Sequence, residues 1–228
     1  MPFSVFLFFL DIGLILPYFV NKYSHNEDKM SMEKLHTEIR QEQIAQAALS
    51  LVSIDGLKKL SVANLARRVG IVPSGLYRHF HNKDGILDSV LDLIQEMLQA
   101  NVRSACQETS DPLEQLRRLL NYHIRMIRDN QGIPRVIFSL DVYSGHPERE
   151  AKVYGAIKEY LNQVKGIIHH GQKKGQVRRD LDPETVSLMF LGMIQPAAIL
   201  WHLSHGDFDV TKHGEKAWKI FSQAIQSR

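Results

Sequence analysis

An all-α fold is what this sequence predicts, and three observations carry the prediction. Apolar residues recur at three- and four-residue spacing along most of the chain. No stretch alternates with the period of two that a half-buried strand needs. Glycine and proline clusters, several of them next to acids, separate the apolar stripes. Of 228 residues, 44% are hydrophobic and 23% charged, the balance of an ordinary globular chain with room for one small helical module and a larger helical domain.

The elements follow in order. Ile44, Ala47, Ala48, Leu51 and Val52 share one face of a helix expected to begin near Glu38 and to end at Gly56, where glycine supplies a left-handed residue. Val62, Leu65, Ala66 and Val69 make a short stripe, and Leu87, Val90, Leu91, Ile94, Met97 and Leu98 a longer one. Asp111 and Pro112 open another helix with the stripe Leu113, Leu116, Leu120, Ile124 and Ile127, broken at 130–132. A shorter helical piece is expected over 134–142, then a turn at 144–147 and a long helix carrying Val153, Ile157, Tyr160, Leu161, Val164 and Ile168. Residues 171–182 read as a basic, glycine-containing loop. Asp182, Pro183 and Glu184 then form a strong helix start: a capping acid, a proline with its φ preset, and an acid in the first turn. That helix continues through Phe190, Met193, Ile194 and Ala197, and a last one carries Ala217, Ile220, Phe221, Ala224 and Ile225.

The N-terminus stands apart. Residues 3–20 are almost wholly apolar with Asp11 as their one charge, close to the minimum for crossing a bilayer, although Asp11 and Pro17 oppose that use. Three readings remain open: a start assigned upstream of Met30 or Met32, an apolar extension packed on a protein or membrane surface, and a membrane anchor. Cys106 is the single cysteine, so no disulfide can form within the chain, which suits a cytoplasmic, reducing setting. It is expected to be a small, partly buried apolar residue.

Residues 61–80 carry the chemistry. Ser61 can cap a first helix, Gly70 permits a tight turn, and Pro73 starts a second, short helix expected over 73–79. Leu76 and Phe80 can anchor that helix from behind, leaving Ser74, Tyr77, Arg78 and His79 outside to reach base edges and phosphates. From 56 to 83 there are six basic residues (Lys58, Lys59, Arg67, Arg68, Arg78, Lys83) and no acid, so with a net charge of +3 the remainder carries about −3. A basic module on a slightly acidic body localises attraction for phosphate.

Ile44 to Ala48, Gly56, Ser61 to Ala66, Val69 to Ile71, Leu76 to Phe80 and Lys83 to Leu87 together resemble the N-terminal domain of TetR/AcrR-type transcriptional regulators. The resemblance covers roughly residues 38–90 and is one of architecture beyond them. It implies an N-terminal three-helix helix-turn-helix domain (33–82) after the hydrophobic extension (1–32), then a helical-bundle domain for effector binding and dimerisation (83–228). It further implies that Tyr77 and Lys83 contact phosphates, that Ser61 caps a helix and touches the DNA backbone, and that Pro73, Ser74, Arg78 and His79 lie on the recognition helix. Val72 departs from a frequent serine, an absence that Ser74 is expected to offset. Arg78 and His79 compete for base readout.

The implied partners are double-stranded DNA, a second copy and a small hydrophobic or aromatic effector. Dimerisation is expected through 183–205 and 211–226, using Met189, Phe190, Met193, Trp201, Trp218 and Phe221. A pocket between bundle helices is expected to be lined by Tyr122, Met126, Phe138, Tyr143 and Trp201. No cofactor or metal site is expected: His169, His170, His202 and His205 lack a cysteine partner or a carboxylate cluster at ligand spacing. No P-loop, nucleophile elbow, zinc-protease motif or paired carboxylates points to an enzyme. The expected function is therefore a repressor released from its operator by that effector. The alternative is a membrane-tethered regulator or adaptor using the N-terminal segment.

Overall fold

A computed structural model describes residues 32–227, with side chains from residue 39. The apolar stretch at 3–20, and with it the extension, start-site and anchor readings, lies outside the described residues. The chain divides into two units, Met1–Arg40 and Gln41–Arg228. Among the described residues there are helices and no strands.

Helix α1 (Met32–Asp55) begins several residues before the expected Glu38, since nothing from Met32 to Thr37 is a helix breaker. A 3-10 turn (Leu57–Lys59) leads into α2 (Val62–Val69) and α3 (Pro73–Tyr77). Helix α4 (Lys83–Glu108) is capped by Asn82, whose side chain accepts from Gly85 N at 2.9 Å. Helix α5 (Pro112–Asp129) is capped by Asp111, which accepts from Glu114 N at 2.8 Å.

The expected helical piece at 134–142 is two: α6 (Gly132–Ile137) and α7 (Leu140–Tyr143). The Tyr143 hydroxyl donates to the Ile137 carbonyl at 2.8 Å, taking up an acceptor that a continuous helix would have bonded internally. Helix α8 (Pro147–Lys173) runs two residues past Gly171, so the expected loop at 171–182 starts later. Val177 and Gln226 form an isolated antiparallel bridge that ties this loop to the end of α11 (Val210–Ile225).

Residues 183–205, expected as one helix, are also two: α9 (Pro183–Gly192) and α10 (Gln195–Leu203). Pro196 causes the break, because it has no N–H for the Gly192 carbonyl and its ring crowds that oxygen. Two apolar clusters make the core. One joins α1, α2, α3 and the first half of α4 with Met126, Ile133, Val136 and Val142. The other joins the second half of α4 with α5 and α8 to α11, and the partly buried Leu98 packs against both. Cys106 is exposed where a partly buried residue was expected, and partial desolvation by its neighbours pushes the thiol pKa up, away from a reactive thiolate.

Candidate nucleic-acid interface and effector cavity

Helices α2 and α3 are set by local chemistry. Ser61 Oγ accepts from Asn64 N at 3.2 Å and so caps α2. Gly70 ends it with φ +72°, a left-handed conformation that costs glycine nothing. Pro73 occupies the first turn of α3, and Val72 precedes it with no side-chain cap, so Ser74 does not replace the missing hydroxyl. Leu76 is wholly buried and Phe80 nearly so, fixing the back of α3. Pro73, Ser74, Tyr77 and Arg78 are exposed on the other side, while His79 is half-buried beyond the helix end. The helix stops at Tyr77, two residues short of the expected His79, and Arg78 is its C-cap.

Lys58, Lys59, Arg67 and Arg78 are exposed with no acidic partner among the described residues. Arg68 instead donates to Ser50 Oγ at 2.9 Å, and Lys83 Nζ donates to the Leu57 carbonyl at 3.3 Å. That bond holds the first turn of α4 against the 3-10 turn and uses one of the three ammonium protons.

A cavity of about 90 Å³ lies between helices of the body. Its walls come from α4 (Leu91, Ile94, Gln95, Leu98), α5 (His123, Met126, Ile127) and α6 with Phe138. The rest comes from α8 (Lys152 to Tyr160) and α9–α10 (Leu191, Gln195, Ala198). One wall touches the helix-turn-helix directly. Gly132, at the start of α6, sits so close to α1 that a Cβ there would stand 2.3 Å from the Leu49 carbonyl oxygen. Arg135 Nη1 donates to the Val52 carbonyl at 3.2 Å, and Gln46 Nε2 donates to Asn130 Oδ1 at 2.9 Å.

A second tie runs from α8. Arg149, 1% exposed, donates to Asp88 Oδ1 at 2.7 Å, to Asp84 Oδ1 at 3.0 Å, and to the Val142 and Asp84 carbonyls at 3.1 Å each. It therefore clamps the first turns of α4, immediately after Lys83, to the start of α8.

Residues 44–90 match the family described as "Bacterial regulatory proteins, tetR family". Residues 109–225, just over half the chain, match "Tetracyclin repressor-like, C-terminal domain". The chain belongs to the TetR family. TetR-family proteins are DNA-binding transcriptional regulators, and this chain is one. It is 22% identical over 188 residues to the nucleoid occlusion factor SlmA of Vibrio vulnificus, spanning 82% of this chain and 96% of that protein. Among solved structures it resembles the fatty acid degradation regulator FadR of Bacillus halodurans, with a TM-score of 0.70 at 20% identity, covering 88% and 100% of the two chains. It also resembles FadR of Bacillus subtilis, solved in complex with stearoyl-CoA, with a TM-score of 0.67 at 20% identity, covering 80% and 98%. At these identities the structures speak for the fold.

Within the TetR frame, the residues expected at the DNA face separate. Pro73, Ser74 and Tyr77 are exposed on α3 with Arg78 exposed at its C-cap, Ser61 caps α2 and Lys83 opens α4, whereas His79 is half-buried. Of the expected pocket residues, Met126 and Phe138 line the cavity and three do not. Tyr122 donates to Glu108 Oε1 at 2.5 Å on the outside of α5, Tyr143 is used on Ile137, and Trp201 packs in the second core cluster. His123 and Tyr160 take their place. Both sit on the apolar faces read from the sequence, and no local signal distinguishes them from packing residues.

The expected dimer seam also needs correcting. Phe190, Trp201 and Phe221 are buried in the chain's own core. Met189 of the expected set is exposed, and beside it α9 and α10 present Leu188, Ile199, Leu200 and Leu203, and α11 Ile220, while Met193 and Trp218 are partly buried against the second core cluster. Among the described residues, Pro183–Leu203 is the one helical stretch long and apolar enough to cross a membrane by length and composition, with 44% of its most apolar window buried. The comparisons give the membrane-tethered alternative no support.

Proposed function

We propose that the chain is a cytoplasmic, homodimeric repressor released from its operator by a small apolar effector held in the cavity. The observation that carries this reading is the shared wall: α6 lines the cavity and packs on α1 through Gly132. An occupant that fits better when α6 has shifted favours a form whose helix-turn-helix is displaced, which couples the two sites by population shift.

Dimerisation is supported by the exposed apolar side chains that α9 and α10 present, Leu188 and Met189 on the first and Ile199, Leu200 and Leu203 on the second. A two-fold dimer through them sets two copies of α3 about 34 Å apart, one turn of DNA. In this reading residues 33–82 read DNA and 83–228 bind the effector and the second copy. Tyr77 and the two unused protons of Lys83 contact phosphates, Ser61 touches the backbone, and Pro73, Ser74 and Arg78 face the bases. His79 supports the end of α3 from inside.

The B. subtilis FadR complex makes a long-chain acyl thioester the first effector to try, the acyl chain and uncharged thioester carbonyl being the part that the cavity would hold. The test is fluorescence anisotropy of a duplex from beside the protein's own gene. Tight, salt-sensitive binding that stearoyl-CoA reverses supports the proposal. Binding no tighter than to random DNA at matched salt contradicts it.

A further inference from the structure

The cavity wall is apolar, with Met126 its one thioether, apart from five side chains: Gln95, His123, Lys152, Tyr160 and Gln195. Two of these are deep, since His123 is 7% and Tyr160 1% exposed. Lys152, the one charged side chain of the wall, reaches outward and bonds Asp92 Oδ1 at 2.7 Å. Thus no free charge faces the interior.

The deep pair is joined by a 3.2 Å contact between His123 Nδ1 and the Tyr160 hydroxyl, with the rings edge-on. Among the described residues the phenol has no other acceptor, so the arrangement that leaves the fewest groups unpaired has its O–H donating to Nδ1. A neutral imidazole carries one N–H, and with Nδ1 accepting, that proton is on Nε2. Burial holds His123 neutral, its pKa pushed down to about 4, and keeps the Tyr160 hydroxyl protonated. Nε2 has no hydrogen-bond partner among the described residues and is not one of their fully enclosed polar atoms, so it keeps surface that an acceptor can approach.

We propose that His123, oriented by Tyr160, makes the cavity selective for an uncharged apolar molecule with one hydrogen-bond-accepting oxygen, such as a ketone, ester or thioester carbonyl, received by the Nε2 proton; this rests on the effector role proposed above. A carboxylate is disfavoured, because the interior offers it no cation and its desolvation goes uncompensated.

The test uses the full chain and three ten-carbon probes, 2-decanone, decane and decanoate, with affinities taken from titrations of the thermal unfolding midpoint. Wild-type protein is expected to bind 2-decanone about tenfold more tightly than decane, the worth of one satisfied buried donor, and more tightly than decanoate. His123→Phe keeps a ring of similar size and removes the ketone preference while leaving decane affinity within about twofold. Tyr160→Phe frees Nδ1 to take the proton and reduces the preference without abolishing it. The wild-type ranking and Tyr160→Phe decide the matter even where His123→Phe folds poorly. Equal affinity for ketone and alkane, tightest binding of decanoate, no binding of any probe, or a preference retained in folded His123→Phe would each overturn the proposal. Ketone selectivity without release of operator DNA sustains the cavity chemistry and refutes the effector role. Release by stearoyl-CoA without ketone selectivity does the reverse.

Discussion

Replacing Arg149 with methionine removes the clamp between α8 and α4 while keeping an unbranched chain to fill its space. The magnitude follows from what is left behind. Asp84 and Asp88 are 49% and 42% exposed in their side chains, so both carboxylates return to water and the usual 3–5 kcal/mol penalty for a stranded buried charge does not apply. The Val142 carbonyl loses its Arg149 partner inside the protein, at about 1–3 kcal/mol, and the charge-assisted bonds to two half-exposed acids add on the order of 1 kcal/mol. The expected loss is about 3 kcal/mol. Urea unfolding should show it as a midpoint lowered by roughly 1–2 M. Because the clamp holds the turn of α4 that follows Lys83, affinity for operator DNA should fall in protein that is still folded. Arg149→Lys keeps the charge but loses the planar fork and should fall between the two. A methionine variant within 0.5 kcal/mol of wild type would refute this reasoning.

Three further outcomes follow. Gly132→Ala drives a methyl into the Leu49 carbonyl, which backbone cannot cheaply yield, and is expected to cost about 1–3 kcal/mol in thermal or urea unfolding and to weaken DNA binding; an unchanged midpoint would show that α6 does not press on α1. His123 takes up its proton near pH 4 when folded and near 6.5 when unfolded, so its contribution is present at neutral pH and is lost as pH falls through that window, by about 2 kcal/mol between pH 7.5 and 5. His202, also lowered by burial, acts in the same direction, so the wild-type curve is compared with His123→Phe, which should be flatter; parallel curves would contradict the assignment. Leu200→Glu changes a half-exposed side chain, so the isolated chain should lose little stability; light scattering should nevertheless show a monomer with much weaker DNA binding, and a persistent dimer would place the interface elsewhere.

The helix-turn-helix was legible because its determinants are local. Ser61, Gly70, Pro73, Asp111 and Asp182 each act within a turn of themselves, through a cap, a positive φ or a preset φ, and each holds the place its chemistry suggested. The breaks were less legible. Pro196 lies inside an unbroken apolar pattern, and the division between α6 and α7 depends on a Tyr143 hydrogen bond six residues away. The cavity was least legible, since six helices converge on it from distant parts of the chain. Tyr122 and His123 are neighbours in sequence but lie about 100° apart on α5, so one meets solvent and Glu108 while the other meets Tyr160. Arg149 reads as a surface residue of a first turn, and only the oxygens brought by α4 and α7 make it a buried one.

The central claim is that the outward face of α3 reads DNA sequence as one half of a two-fold pair. Selection of bound duplexes from a random-sequence pool, at fixed salt, tests it most directly. The bound pool is expected to be enriched in a symmetric site whose half-sites are centred about 10 base pairs apart, with Arg78→Ala relaxing the preference within each half and Tyr77→Ala weakening all sites together. A pool that stays random after repeated rounds, while the protein remains folded and dimeric, would contradict it.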